Sequence, residues 1–385
     1  AVAGAGPAGL QAAIAAAERG VRVTVFDKKT VIGVPVRCGE FFPSKEEMLN
    51  LLPRSRDFAS LFEIPSDAIS NRCDTLRMYS PAGKCWEFPF RAYVLDRTTL
   101  EQNMAREAKA LGAEFRLGCA VEAFTSNGKL RVGQSFSKSI ETSVLVAADG
   151  FPSRAVSSGG LADARYDLPE NVAVNYQYVM DNLNVESKVT EMYMGSAIAP
   201  GGYAWIIPKS NSTANVGVGV RTTFTRSGRG RDYLDHFVRE YSLTRTKLAL
   251  GKVQSMIADV LPVDGVASRT QSDRVVVAGD SAGMVMPTNG GGIPTAMISG
   301  RIAGEAAALH VLRGEPLSSY ETRWMNAIGH ELHASTRMRR FADIFMRHDT
   351  LFDLTMRVLR AGGIKKVVTC KIPTGLDTLM RLCGY

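Results

Sequence analysis

The turn Gly4-x-Gly6-x-x-Gly9 limits what this chain can fold into more than any other stretch, because of what stands on either side of it. Val2 enters a short apolar strand, an alanine-rich helix is expected from Pro7 to Arg19 with Gly20 as its stop, and residues 21–26 read as a second strand ending on Asp27. Glycines at such a turn allow close backbone approach to a pyrophosphate, the helix start offers unpaired N–H groups, and an acid about twenty residues further on holds a ribose. A lone GxGxxG is a weak signal. Strand, helix, second strand and terminal acid together make a dinucleotide-binding unit the reading.

Residues 275–304 carry a second signature of the same kind. The β-branched run Val275, Val276, Val277 reads as a buried strand ending at Gly279 and Asp280, and Gly290, Gly291 and Gly292 open a small-residue helix with Pro294 in its first turn. A carboxylate just past a strand accepts hydrogen bonds from ribityl or ribose hydroxyls, and bare N–H groups at a helix start favour a partly negative ligand edge. Both features suit a flavin. An ordinary glycine-rich turn before a packed helix would look the same from this stretch alone.

Between the two signatures the chain leaves the nucleotide fold and returns. Residues 33–41 form a Gly/Pro-broken loop holding Arg37, Cys38 and Glu40; Cys38 is either a thiol activated by its neighbour or a small buried hydrophobe. A hairpin is expected over residues 72–90 around Ser80-Pro81-Ala82-Gly83, a register that sets Cys85 opposite Met78 and Cys73 opposite Phe90. Asp96 or Thr98 caps a helix over residues 99–111, with Arg97 at its start, either on the surface or reaching a phosphate or flavin. Strands follow at 113–121 and 143–148, the second closing on Asp149-Gly150. Alternation over 171–220 predicts a separate antiparallel sheet, on which Tyr203 and Trp205 share one face, as core or as pocket wall. The expected class is therefore mixed α/β: a discontinuous Rossmann-like nucleotide-binding unit (1–72, 92–160 and 255–312), an inserted antiparallel sheet (73–91 and 161–254), and a helical region (313–385).

Charge and cysteine usage narrow the partners. The formal charge is +8, and from residue 331 onward ten basic side chains face five acidic ones, which reads as a solvated helix face, an anionic membrane surface, a substrate phosphate or an acidic redox partner. No nucleic-acid motif accompanies these charges. The six cysteines form no CxxC pair, which argues against a zinc site or a disulfide scaffold. No apolar run reaches the length of a spanning helix, so the expectation is a cytoplasmic protein, with the inner face of the cell membrane as a peripheral contact.

The order GxGxxG, Pro35-Val36-Arg37-Cys38-Gly39-Glu40, Asp96-Arg97, Ala148-Asp149-Gly150, Tyr203-x-Trp205, Gly279-Asp280 and Gly290-Gly291-Gly292 resembles the geranylgeranyl reductase family of flavoproteins, in its archaeal digeranylgeranylglycerophospholipid reductase type. The nucleotide and aspartate motifs are shared with the wider p-hydroxybenzoate hydroxylase superfamily, whereas the P-V-R-C-G-E and Y-x-W-x-x-P stretches point to the reductases. Ile207 departs from the phenylalanine that usually precedes that proline and keeps the pocket apolar. The resemblance implies FAD, with Gly4, Gly6, Gly9 and Asp27 on the adenosine half and Ala120, at the end of its strand, meeting the adenine through its backbone. It places Cys38, Gly39 and Phe41 near the isoalloxazine, Arg97 near the pyrophosphate or ribityl chain, Asp280 on the ribityl, and Gly292 with Ile293 at the pyrimidine edge. Tyr203 and Trp205 would line the lipid tunnel, and Cys38 is the candidate proton donor. The implied activity is saturation of geranylgeranyl C=C bonds, with electrons from a ferredoxin, a deazaflavin or a nicotinamide. An aromatic monooxygenase of the same superfamily and a non-catalytic prenyl carrier are the rival readings.

Overall fold

In the computed structural model, which describes residues 1–125, 128–133, 140–225, 230–373 and 375–382, the glycine turn opens a five-stranded sheet. Its strands run Val275–Val277, Leu145–Ala147, Val2–Ala3, Thr24–Asp27, Glu114–Leu117, every adjacent pair parallel. The valine and alanine runs of the central strands are buried, as a parallel sheet covered by helices requires. The first helix, Pro7–Ala17, packs along the long helix Ile293–Arg313. A Cβ on Gly300 would stand 2.1 Å from the Ala8 carbonyl oxygen and one on Gly304 2.1 Å from that of Ala12, so the two helices meet backbone to backbone. That register makes them parallel and sets the start of the long helix about six residues, roughly 9 Å, beyond the start of the first. Both N-termini therefore face the same end of the sheet.

The second sheet has eight strands in the order Lys252–Pro262, Val172–Asp181, Ala214–Val220, Ala204–Pro208, Val189–Tyr193, Ile69–Tyr79, Cys85–Leu95, Phe41–Pro43. It is mixed rather than antiparallel, because Val189–Tyr193 runs parallel to Ile69–Tyr79. Those two strands come from separate excursions out of the nucleotide fold, so no turn forces their directions to alternate. Lys252–Pro262 belongs to this sheet, so the return expected at residue 255 falls inside a strand, and the hairpin extends beyond its expected ends to Ile69 and Leu95. The hairpin register also differs from the expected one. Ser80 N donates to Lys84 O, which widens the turn by one residue; Cys85 faces Tyr79, and Cys73, beside a bulge, faces Ala92. Both cysteines are free, as are Cys38, Cys119 and Cys370, while Cys383 lies outside the described residues.

A small third sheet, Val121–Phe124, Lys129–Val132 and Ile140–Glu141, follows the edge strand Glu114–Leu117 of the nucleotide sheet and was not expected. The helix Arg97–Ala110 begins two residues earlier than its expected start and is capped by Asp96, which accepts from Thr99 N at 2.9 Å. Beyond residue 313 the described residues are mainly helical, and no helix among them or elsewhere among the described residues is long and apolar enough to cross a membrane.

Candidate active site

At the nucleotide end the three glycines serve different purposes. Gly4 adopts φ +97°, and a Cβ there would stand 2.2 Å from the Ala148 carbonyl oxygen; a Cβ on Gly9 would stand 1.9 Å from Gly4 O. Gly6, by contrast, has nothing within 4 Å of where a Cβ would lie, and no side chain caps the helix start it forms. The turn is tight from within and open towards a ligand. Asp27 ties this turn to the strand end: one carboxylate oxygen accepts from Ala5 N (2.6 Å), the other from Lys29 N (2.7 Å). Ala120 was expected to end a strand, but the strand stops at Leu117 and Ala120 follows Cys119, whose N–H donates to Asp27 O. Its carbonyl accepts from Gly133 N, and it stays beside the Asp27 strand end.

The Cys38 loop is held by the second sheet. Gln177, 3% exposed, donates to Cys38 O (2.9 Å) and accepts from Trp205 Nε1 (3.0 Å). Asn215 donates to Gly39 O (3.1 Å) and to the Glu40 carboxylate (2.9 Å), which also takes Lys209 Nζ at 2.5 Å and Arg97 N at 3.1 Å. Glu40 itself sits at φ +63°, a left-handed turn fixed by these partners. Trp205 lies flat over the neighbouring strand, since a Cβ on Gly217 would stand 2.3 Å from its ring, and Gly39 faces Ile207 and Trp205. Tyr203 and Trp205 share one face, with ring centroids 5.8 Å apart, and pack in one apolar cluster with Phe41, which stacks on Phe90. Burial raises the Cys38 thiol above its ordinary pKa, opposed by the nearby Arg97 charge. Cys38 is accordingly a thiol that receives a hydrogen bond from Glu40 N at its sulfur.

The third component comes from the other end of the chain. Arg97 donates from Nε to Glu101 (2.6 Å) and from NH1 to Arg37 O (3.3 Å), and its charge acts on both Cys38 and Asp280. Asp280 faces Gly292: a Cβ there would stand 3.2 Å from its carboxylate. Burial, opposed by Arg97 and aided by Asp259, raises its pKa from 3.8 to about 6. No hydrogen bond from a described residue reaches that carboxylate. Gly290 turns beneath Tyr203, whose hydroxyl donates to Asn289 O (2.6 Å), and the helix start at Gly292 and Ile293 has no side-chain cap. Asp149 is occupied differently: it accepts from Ser153 Oγ and from the N–H groups of Arg154 and Ala155, so it organises its own turn.

Two helix starts, an unbonded half-buried carboxylate, a thiol loop and an aromatic wall thus converge. Residues 171–257 match the family described as geranylgeranyl reductase catalytic domain, and residues 2–54 match NAD(P)-binding Rossmann-like domain. The chain is 31% identical to digeranylgeranylglycerophospholipid reductase 2 of Methanopyrus kandleri over 337 residues, covering 85% of this chain and 82% of that one. The chain belongs to the geranylgeranyl reductase family. A geranylgeranyl bacteriochlorophyll reductase-like protein from Thermoplasma acidophilum shares the fold with a TM-score of 0.83 at 24% identity, covering 99% of this chain and 98% of that one. A flavin-dependent brominase shares it more distantly, with a TM-score of 0.73 at 16% identity, covering 99% of this chain and 96% of that one.

The cofactor of this geranylgeranyl reductase is FAD. The residues present fit it. The helix start at Gly6 is uncapped and open, Asp27 keeps lone pairs beyond its two backbone bonds, and Asp280 is a half-buried carboxylate without a hydrogen bond from a described residue, which ribityl hydroxyls can satisfy. Of the predicted residues, Gly4, Gly6, Gly9, Asp27 and Ala120 gather at one end, and Cys38, Gly39, Arg97, Asp280, Gly292, Ile293, Tyr203 and Trp205 at the other, with Phe41 packed in the same cluster as Tyr203 and Trp205. Gln177, Asn215, Lys209 and Gly217 complete the site around Glu40 and were not singled out in the sequence. Gly217 and Gly219, alternating with valines in one strand, were the available signal, since glycine inside a strand marks a close approach.

Proposed function

We propose that the protein is an FAD-dependent reductase that saturates the C=C bonds of geranylgeranyl chains on archaeal-type ether lipids or their diphosphate precursor. The observation that carries this is the clamp: Gln177 and Asn215 hold the Cys38–Glu40 loop against Trp205 and Ile207, so a thiol stands at the edge of an apolar, aromatic wall. Reduced FAD supplies a hydride when bound. The alkene also needs a proton on its other carbon, and its tail has no acidic group to give one. Cys38 Sγ carries that proton, kept as a thiol by burial. Tyr203 and Trp205 exclude water and orient the chain, while Tyr203 keeps its own proton on Asn289 O. Arg97 and Asp280 would hold the cofactor, and a nicotinamide, a deazaflavin or a ferredoxin would supply its electrons. The test compares reoxidation of the anaerobically reduced enzyme by a geranylgeranyl lipid and by its fully saturated analogue. Reoxidation by the unsaturated lipid alone is expected; equal inertness to both, with oxygen uptake stimulated by a phenol, would favour a monooxygenase instead.

A further inference from the structure

The helix Asp349–Val368 presents two faces of different character. Its inner face, Phe352, Met356 and Leu359, packs into the apolar cluster that contains Phe88, Phe90, Met192 and Tyr203. Its ends are pinned there as well. Asp349 accepts from Ser196 N and Oγ (2.9 and 2.7 Å), Asp353 accepts from Ser80 Oγ, Lys365 Nζ donates to Pro89 O, and Val368 O accepts from Asn289, the residue whose carbonyl holds Tyr203. The helix thus roofs the aromatic surface at which the chain would be reduced.

The outer face is apolar too. Leu351, Leu354 and Val358 fall at i, i+3 and i+7, one stripe of a helix, and are 39%, 56% and 72% exposed. Residues 347–371 hold six basic side chains (Arg347, Arg357, Arg360, Lys365, Lys366 and Lys371) and two acids: Asp349 is engaged inward with Ser196, and Asp353 is shared between Ser80 Oγ inside and Arg357 Nε (2.5 Å) outside. Arg347, Arg357, Arg360, Lys366 and Lys371 are exposed. At Arg360 the helix breaks, with φ +52°, before Gly362 and Gly363.

We propose that this stripe docks on an anionic lipid bilayer, the three apolar side chains entering its interface and the surrounding arginines and lysines meeting lipid phosphates. The choice of partner rests on charge: a roof whose outward cations exceed its acids complements an anionic surface, and a prenyl lipid substrate, as proposed above, resides in one. Docking there places the helix that roofs the aromatic surface against the source of its substrate.

The test is flotation of the FAD-loaded full chain with phosphatidylcholine vesicles and with vesicles of equal parts phosphatidylcholine and phosphatidylglycerol, read without substrate. Wild type should float with the anionic vesicles only, and about tenfold less at high salt. Leu354→Glu combined with Val358→Glu should abolish flotation while leaving flavin content and the rate with detergent-dispersed prenyl lipid unchanged. Flotation of the double variant like wild type, or indifference of wild type to lipid charge, overturns the proposal. So does sedimentation showing that the stripe pairs two copies and that the double variant only separates them. Because flotation needs no turnover, a failed reductase assay with intact flotation removes the function and leaves the docking face standing.

Discussion

Replacing Gln177 by leucine separates the clamp from the cofactor cradle. Leucine fills nearly the same space but offers neither donor nor acceptor, so Cys38 O and Trp205 Nε1–H lose the partners they now have at 2.9 and 3.0 Å. Each buried group left unpaired costs about 1–3 kcal/mol, hence roughly 2–6 kcal/mol for both. Trp205 is fixed over Gly217 and cannot turn away, whereas the Cys38 loop can swing towards water, so the realised cost lies near the lower end. About 2 kcal/mol corresponds to a shift of roughly thirtyfold between clamped and released loop. Gln177→Leu should therefore keep its flavin, because Gly4, Gly6, Gly9, Asp27 and Asp280 are untouched, melt a few degrees lower, and reoxidise with prenyl lipid about ten- to thirtyfold more slowly. Flavin absorbance, a thermal melt and stopped-flow reoxidation read the three quantities. A variant that melts and reoxidises like wild type would refute the clamp.

Gly9→Val should purify without flavin, since its Cβ would stand 1.9 Å from Gly4 O, a backbone atom that cannot yield without opening the turn; full flavin occupancy would undo the cradle assignment. Cys38→Ala should retain flavin and lose far more of the rate with prenyl lipid than of the rate with a small artificial acceptor, and wild-type lipid rates would reduce Cys38 to a packing residue. Asp280 gives a pH signature in the flavin-free protein. Its folded pKa is raised to about 6 from 3.8, so the stability tied to its proton is full below 3.8 and gone above about 6. Asp280→Asn should then melt higher than wild type at about pH 8, by the equivalent of about 3 kcal/mol, and match it at about pH 4. A gain that is the same at both pH values would contradict the burial of that carboxylate.

What was legible in the sequence is what neighbours along the chain determine. The glycine turn, the Asp27 strand end and the Gly290–Ile293 helix start each depend on a few consecutive residues and lie where the local pattern put them, and of the two expected caps, Asp96 and Thr98, Asp96 is the one used. The clamp was not legible because its members, Cys38, Gln177, Trp205 and Asn215, meet only through the pairing of strands far apart in sequence. Buried Gln177 reads in isolation as one more polar residue in an alternating strand. The hairpin register failed for a related reason: a one-residue widening of the turn at Ser80 and Lys84 shifts every pair beyond it, and a bulge near Cys73 shifts the rest. The parallel pairing of Val189–Tyr193 with Ile69–Tyr79 joins two separate excursions of the chain, and no local signal encodes it.

The most direct measurement weighs the lipid itself. Enzyme reduced without oxygen, with its external donor removed, is mixed with a geranylgeranyl ether lipid; flavin absorbance is followed, and the recovered lipid is examined by mass spectrometry. The account predicts that the flavin returns to its oxidised spectrum while the lipid gains two hydrogen atoms for each bond saturated, in amounts that match the flavin reoxidised. Lipid of unchanged mass beside a flavin that stays reduced until oxygen is admitted would contradict it.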